Sequence, residues 1–252
     1  MKKYFFFDID GTLTTLLSSQ VPESTRECLR QLEANGHFVA IATGRLQKSG
    51  WDIAKMLGIH NMVADGGYSL TLNEKIVYQH GMDSDKVAAY LEYLQREDIS
   101  FAVTISNELK RYTADPRYLE RVQERYYMTT VDPEFDWRGK TVYKIFVAVS
   151  EKEELAMDMH GLQSVRYFDD SMLVEPMEKG RGIREMLRCI GGEEKDVVVF
   201  GDGINDLQMF DPAWFSIAMG NACEPLKERA DYVTDMCDRD GVWKACKKMG
   251  WI

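Results

Sequence analysis

The chain lacks any long hydrophobic stretch, and this absence excludes two classes of protein. The apolar run that begins at Tyr4 is interrupted by Asp8 and Asp10, so it is too short for the core of a signal peptide. No other stretch approaches the length needed to span a membrane. We therefore expect a cytoplasmic protein without a membrane partner.

Basic residues are scarce relative to acidic ones: the chain has 31 lysines and arginines against 41 aspartates and glutamates. Nucleic acids and anionic membranes require a basic surface, so this balance argues against either as a partner. It is compatible with a small phosphorylated metabolite, because a metal ion and one or two cationic side chains can meet that charge locally. The composition leaves the oligomeric state open.

Cysteine motifs are absent as well. The five cysteines are an odd number, no two form a C-x-x-C pair, and none has a neighbouring histidine at zinc spacing. We expect reduced thiols that mostly fill core positions. With 252 residues, 45% of them hydrophobic, the chain can bury one large or two modest domains.

Both ends of the chain alternate short apolar runs with helical patterns. Strands buried on both faces are predicted at Tyr4–Phe7, His37–Ala42, Met62–Ala64 and Val197–Phe200. Helices are predicted between Pro22 and Gly36, over Leu46–Leu57 and over Gly180–Cys189, and the alternation continues through Asn205–Phe210, Ser216–Met219 and Glu224–Ala230. This pattern predicts an α/β fold with a doubly wound, Rossmann-like parallel sheet.

The middle of the chain follows a different pattern. A hairpin is predicted around Asn73-Glu74. Beyond it we predict helices at Val87–Leu94 and near Tyr118–Tyr126, and strands at Ser100–Ile105, Tyr143–Val149, Val165–Asp169 and Met172–Glu175. Grouped strands with few helices indicate an inserted α+β module. We predict a core over residues 1–82 and 177–252, and a cap over residues 83–176.

Polar clusters directly follow three of the predicted strands. They are Asp8-Ile9-Asp10-Gly11-Thr12, Thr43-Gly44-Arg45 and Gly201–Asp206. Open α/β sheets bind ligands beyond the carboxyl ends of their strands. We therefore expect the three clusters to meet at one edge of the sheet.

The first cluster is the most specific signal. Its pattern D-x-D-G-T arises by chance on the order of once per 10⁵ positions, given residue usages of roughly 5–7%. Asp8 and Asp10 point to the same side if the chain stays extended, and a cation relieves their repulsion. Mg²⁺ prefers carboxylates, waters and phosphate oxygens, and Asp202 completes a plausible ligand set. Taken singly, each residue has an ordinary structural interpretation, such as a turn former, a helix cap or a surface lysine.

Taken together and in order, the motifs resemble those of the haloacid dehalogenase superfamily. They are DIDGTL at Asp8–Leu13, ATGR at Ala42–Arg45, Lys179 before a helix, and GDGIND at Gly201–Asp206. The insertion between the second and third motifs is similar to the type IIB cap of the Cof-type phosphatases. The resemblance covers essentially the whole chain and implies a phosphatase acting on small phosphate monoesters.

The resemblance also implies roles for individual residues. Asp8 is implied as the nucleophile that forms a phospho-aspartyl intermediate, and Asp10 as the general acid and base. Mg²⁺ is implied to bind the side chains of Asp8 and Asp202 and the backbone carbonyl of Asp10. The residues implied to contact or orient the substrate phosphate are Thr43, Gly44, Lys179 and Asn205, with Asp206 behind them as a carboxylate that orients the site. Arg45 is a further candidate for contact with the substrate phosphate or the cap.

Two segments depart from the family pattern, and three other functions compete with hydrolysis. Asp65-Gly66-Gly67 stands where Cof-type members often have Asn-Gly-Ala, and Leu173–Glu178 lacks the usual small-residue spacing. A phospho-signalling receiver would need neither Asp10 nor a cap. A phosphomutase would transfer the phosphoryl group to a second hydroxyl and require a bisphosphorylated activator. A catalytically inactive binding protein is disfavoured because every chemically required position is filled.

Overall fold

The computed structural model describes residues 1–16 and 20–252. In that part of the chain the strands are β1 (Tyr4–Phe7), β2 (Phe38–Ala42), β3 (Met62–Ala64), β4 (Ser69–Leu72), β5 (Lys75–Gln79), β6 (Phe101–Thr104), β7 (Lys110–Thr113), β8 (Met128–Val131), β9 (Lys144–Val147), β10 (Ser164–Phe168), β11 (Ser171–Val174), β12 (Val197–Gly201), β13 (Phe215–Ala218) and β14 (Tyr232–Val233). The α-helices there are α1 (Glu23–Ala34), α2 (Gln47–Leu57), α3 (Ser84–Arg96), α4 (Tyr118–Arg121), α5 (Glu151–Glu154), α6 (Lys179–Ile190), α7 (Glu224–Arg229) and α8 (Gly241–Lys248). No helix among these described residues combines the length and the apolar composition that crossing a bilayer requires.

The chain divides into two compact units. Unit 1 comprises residues 1–45, 50–78 and 177–252, and unit 2 comprises residues 46–49 and 79–176. Both units are therefore discontinuous in sequence, and the chain passes between them four times.

This division differs in two places from the domain boundaries expected from the sequence. The junction at the end of the hairpin falls at 78/79, before the last residue of β5, instead of 82/83. The four residues 46–49, expected in the core, group with unit 2. The junction at 176/177 is the same in both divisions.

Unit 1 is built on an eight-stranded sheet with the order β14-β13-β12-β1-β2-β3-β4-β5. The strands from β14 to β3 run parallel, and β4 turns back antiparallel to β3. Helices α1, α2 and α8 pack on one face, where Phe5 and Phe7 point, and α6 and α7 pack on the other, where Phe6 points. Both faces of β1 are buried, which explains its wholly apolar sequence and confirms the predicted doubly wound sheet.

The register of the central strands brings their carboxyl ends level. Phe7 pairs with Phe200 on β12 and with Ile41 on β2. Residues that follow these three strands therefore emerge side by side at one edge of the sheet. The predicted hairpin also forms, with both Asn73 and Glu74 at positive φ, as a tight two-residue β-turn requires.

Unit 2 is an α+β layer built on a six-stranded sheet with the order β10-β11-β9-β6-β7-β8. Neighbouring strands are antiparallel except β7 and β8, which are parallel. One face packs against α3 through Val103, Ile145 and their neighbours. The other face carries Phe146 and is covered by Tyr118 and by Leu46 from the short segment that joins this unit.

Some predicted elements of unit 2 and its surroundings were wrong or missed. The helix expected near residues 118–126 is only the single turn α4, because Val122 is already extended and the chain leaves the helix there. Strands β7 and β8 were not predicted, since the buried positions of β7 are Arg111 and Thr113 instead of apolar residues. In unit 1, the segment predicted to continue the alternation at Asn205–Phe210 is a 3-10 turn over Ile204–Met209.

Candidate active site

Asp8 is the first residue after β1, and the sheet holds its backbone. Its amide donates a hydrogen bond to the Phe200 carbonyl at 3.0 Å, which extends the β1–β12 ladder by one residue. The side chain is almost completely buried, with 5% of the residue exposed. The chain then turns at Gly11, whose φ of +82° suits glycine and whose position leaves no room for a Cβ, since one would lie 2.0 Å from Asp202 Oδ2.

Lys179, the first residue of α6, bridges two of the carboxylates. Its Nζ lies 2.6 Å from Asp8 Oδ1 and 2.6 Å from Asp206 Oδ1. All three side chains are buried, so these are charge-assisted hydrogen bonds shielded from water. The structure thus brings the predicted third-motif lysine to the predicted nucleophile.

A close fit between two loops fixes the position of Lys179. The amide of Glu178 donates to the Gly66 carbonyl at 2.7 Å, and the Tyr68 hydroxyl lies 3.2 Å from Glu178 Oε1. Gly67, at φ +103°, packs so closely that a Cβ would lie 2.2 Å from the Glu178 carbonyl oxygen. The Asp65-Gly66-Gly67 loop therefore holds Glu178, the residue before the lysine, and glycine at its third position is required for that contact.

Asp206 uses both carboxylate oxygens to organise the loop after β12. While Oδ1 accepts from Lys179, Oδ2 accepts from the amides of Asp202 at 2.9 Å and Gly203 at 3.0 Å. With its lone pairs committed to three donors, Asp206 is suited to orient its neighbours. The orienting role expected for Asp206 from the sequence stays a prediction.

Asn221 holds Asp202 and was missed by the sequence reasoning. Its side-chain NH₂ donates to Asp202 Oδ2 at 3.1 Å and to the Gly11 carbonyl at 2.8 Å, while its Oδ1 accepts from the Cys237 amide at 3.0 Å. One amide side chain therefore ties together the loops after β1, β12 and β13. The signal was available, because Asn221 follows the end of β13 at the same sheet edge as the other clusters.

Asp10 has a different partner from Asp8. Arg45 donates two parallel hydrogen bonds to it, from Nε to Oδ2 at 2.8 Å and from Nη2 to Oδ1 at 2.6 Å. Half of the Asp10 side chain is exposed, against 8% of the Asp8 side chain. Sequence reasoning named Arg45 only as a candidate contact for the substrate phosphate or the cap; the structure adds this pairing with Asp10.

The remaining predicted phosphate contacts lie on the loops at the same sheet edge. Thr43 is buried directly after β2, and its hydroxyl accepts from the Arg45 amide at 3.0 Å. Gly44 lies between them and is half-buried, and Asn205 is half-buried at the start of the 3-10 turn after β12. The register of β1, β2 and β12 is sufficient to place these residues at the same sheet edge as Asp8.

Burial and mutual repulsion dominate the electrostatics of the acidic cluster. Burial, followed by the charge of Asp206, raises the pKa of Asp8 well above its usual value, against the opposing effect of Lys179. Burial and then Asp206 raise the pKa of Asp202 to about 7. For Lys179, burial lowers the pKa, but the charges of Asp206 and Asp8 outweigh it and the net shift is upward. The site therefore carries more buried negative charge than one lysine balances.

This surplus fits a divalent cation. Oxygens of Asp8, Asp202 and Asp206 lie within 4.8 Å of one another. Both Asp206 oxygens already accept from Lys179 and from backbone amides, so Asp8 and Asp202 are the candidate ligands. Carboxylate oxygens are the ligands that hard cations such as Mg²⁺ take. The cluster is a candidate metal site at the carboxyl end of the sheet.

Sequence comparison identifies the relatives of the chain. A profile described as haloacid dehalogenase-like hydrolase matches residues 5–246. A protein of Bacillus subtilis (strain 168) named "Putative phosphatase YkrA" is 31% identical over 257 aligned residues, which cover 99% of this chain and 98% of the relative. The similarity therefore extends over both units.

Two solved structures are also similar over their full length. A protein from Geobacillus kaustophilus HTA426 has a TM-score of 0.84 at 31% identity, with 100% of both chains covered. The HAD subclass IIB sugar phosphatase BT4131 has a TM-score of 0.81 at 26% identity, again with 100% of both chains covered. These matches favour a hydrolase over the signalling-receiver alternative and agree with the resemblance seen in the motifs.

Proposed function

Because the chain belongs to the haloacid dehalogenase-like hydrolases and is a Cof-type phosphatase, we propose that it hydrolyses small phosphate monoesters through a phospho-aspartyl intermediate on Asp8, with Mg²⁺ as cofactor. The observation that carries this proposal is the placement of Asp8 at the sheet edge, bonded to the Lys179 ammonium and with an oxygen within 4.8 Å of an Asp202 oxygen. The similarity to a sugar phosphatase supports sugar phosphates or similar metabolites as substrates.

In the first proposed step, a carboxylate oxygen of Asp8 attacks phosphorus in line with the ester oxygen. The new bond joins Asp8 to phosphorus, the ester P–O bond breaks, and Asp10 gives its proton to the departing alcohol oxygen. The bond from Lys179 to Asp8 Oδ1 leaves Oδ2 for the attack, as no other described residue bonds it. Thr43, Gly44, Lys179 and Asn205 are the proposed contacts of the phosphoryl oxygens.

In the second step, a water attacks the phosphoryl group on Asp8 and Asp10 takes its proton. The Asp8–phosphorus bond breaks, which releases inorganic phosphate and restores both carboxyl groups to their starting states. The Asp8 and Asp202 side chains and the Asp10 backbone carbonyl would hold Mg²⁺, which would supply positive charge to the phosphoryl oxygens. Asp206 and Asn221 keep the two ligand loops in place throughout.

A kinetic experiment tests the two-step path. Purified protein is mixed with p-nitrophenyl phosphate with Mg²⁺ or with EDTA, and the phosphoenzyme is trapped with hydroxylamine, which cleaves acyl phosphates. We expect turnover only with Mg²⁺ and none in Asp8→Asn. In Asp10→Asn we expect a burst of about one nitrophenol per site, followed by turnover slowed roughly 10²–10⁴-fold, because the second step lacks its base.

Two outcomes contradict the proposal. Equal turnover in EDTA would exclude the metal, and a hydroxylamine-resistant phosphoenzyme would exclude Asp8 as the acceptor. Turnover of a monoester without any bisphosphorylated activator separates hydrolysis from the phosphomutase alternative. A panel of phosphorylated sugars and other small metabolites, ranked by kcat/KM, then tests the substrate class.

A further inference from the structure

Arg45 and Asp10 form a two-bond ion pair at the sheet edge, and the proposed mechanism does not use this pair. Two parallel bonds of 2.6 and 2.8 Å join the guanidinium to both oxygens of the carboxylate. This fork geometry fixes the orientation of the carboxylate as well as its position, which a lysine could not do.

Arg45 is itself held in place through its backbone. Its amide donates to the Thr43 hydroxyl at 3.0 Å, and its carbonyl accepts from the Asp65 amide at 2.9 Å. Thr43 and Asp65 are both buried, so the loops after β2 and β3 anchor the arginine from either side. The side chain therefore extends from a fixed base toward Asp10, which otherwise has a half-exposed side chain free to change rotamer.

The two bonds also constrain how Asp10 can act. Both of its carboxylate oxygens accept from the guanidinium, so the arginine sets the orientation of the carboxylate. To protonate a leaving group it must release at least one of the two bonds and then return.

We propose that Arg45 is a positioning residue that acts through Asp10, fixing the orientation of the acid/base carboxylate at the sheet edge, and that it is not a ligand of the substrate phosphate. The inference rests on the proposed function, since it assigns a partner to that acid/base. It predicts that replacing Arg45 lowers kcat/KM only for substrates whose leaving group needs a proton from Asp10.

The test compares two substrates in four proteins. Wild type, Arg45→Ala, Asp10→Asn and the double variant are assayed with an alkyl phosphate, β-glycerophosphate, and with p-nitrophenyl phosphate. The alkyl leaving group needs a proton, whereas nitrophenolate leaves without one. We expect kcat/KM of Arg45→Ala to fall about 10-fold or more for β-glycerophosphate and less than about 3-fold for p-nitrophenyl phosphate. The double variant should match Asp10→Asn within about 3-fold, because the two residues act as one unit.

Controls separate this role from a structural one. Arg45→Lys keeps the charge without the fork and should recover part of the β-glycerophosphate activity, as should guanidinium ion added to Arg45→Ala. Arg184→Ala removes another carboxylate-paired arginine of unit 1 and should leave both substrates unaffected.

Four results overturn the inference. A KM that rises equally for both substrates would mark Arg45 as a phosphate ligand, as would losses that multiply in the double variant. An Arg45→Ala protein as active as wild type on β-glycerophosphate would remove any role. If the wild type hydrolyses neither ester with Mg²⁺, the proposed function itself has failed and the inference fails with it.

Discussion

The ammonium nitrogen of Lys179 lies 2.6 Å from a carboxylate oxygen of Asp8, although the two residues are 171 positions apart in the sequence. The pair is buried, and Asp206 adds a second carboxylate to the same ammonium. The single Lys179 ammonium thus only partly balances the buried carboxylates. We expect this excess of negative charge to determine how mutation, metal binding and pH change the stability and activity of the protein.

Replacing Asp8 with asparagine should abolish activity without loss of stability. The substitution removes a buried charge that Asp206 and Asp202 repel, while the asparagine oxygen can still accept from Lys179. We expect kcat to fall by at least about 10³-fold and the Tm without metal to stay equal or rise. Calorimetric scans beside the kinetic assay measure both, and a Tm several degrees below wild type would contradict this balance.

Removing the cation should have the opposite effect on stability. Lys179→Met leaves Asp8 and Asp206 buried without their partner, which we expect to cost about 3–5 kcal/mol of the free energy of unfolding. Urea denaturation measures this loss. The matched control is Arg188→Met on the same helix, whose exposed ion pair with Glu185 should contribute less than about 1 kcal/mol. Similar losses in both variants would show that the buried ion pairs of Lys179 contribute no more to the free energy of unfolding than an exposed pair.

Stability without metal should decrease as the pH rises. The pKa of Asp202 is raised to about 7 in the folded protein, above its unfolded value near 4, so the folded state holds more protons between these limits. The stabilisation due to this proton is present below about pH 4 and is lost by about pH 7. Mg²⁺ competes with the proton and should raise Tm more at pH 8 than at pH 5, by a few degrees, in thermal scans at matched ionic strength. A metal-induced shift that is larger at pH 5 would have the wrong sign.

Asn221 should tune the affinity for the metal. Asn221→Ala frees Asp202 Oδ2 and the Gly11 carbonyl from their shared donor, so we expect the Kd for Mg²⁺ to rise about 10- to 100-fold. Titration calorimetry measures this directly and does not depend on turnover. Asn35→Ala is the control, because Asn35 also bonds a backbone carbonyl but lies away from the cluster, on a helix end. Unchanged affinity in Asn221→Ala would mean that Asp202 is held adequately by other contacts.

The parts of this protein that sequence could predict are those where one physical rule dominates. The buried strands of unit 1 are wholly apolar because both faces are covered, and Asp8 and Asp202 follow from the rule about strand ends. Contacts between side chains from distant loops carry no such local pattern. The fork between Arg45 and Asp10 and the threefold bonding of Asn221 emerge only when the loops are placed together.

Unit 2 was harder to predict for a related reason. Its strand β7 buries Arg111, which lies 5.0 Å from the rings of both Tyr118 and Phe146. A buried arginine breaks the hydrophobic alternation by which a strand is recognised, and its aromatic partners come from other elements. The helix at α4 was predicted too long because Tyr118 and Tyr127 pack in the same hydrophobic cluster on the sheet instead of continuing a helical stripe.

The grouping of Leu46 with unit 2 has a consequence for engineering new specificities. A chimera that exchanged residues 79–176 alone would strip Leu46, fully buried beside Tyr118 and Phe146, of the neighbours that bury it. The same exchange would remove Asn107, which bonds both the Gln47 side chain and the Lys48 amide. A transplanted unit 2 must therefore include its own version of residues 46–49. Because this segment directly follows Arg45, the new junction would lie next to the arginine that bonds Asp10.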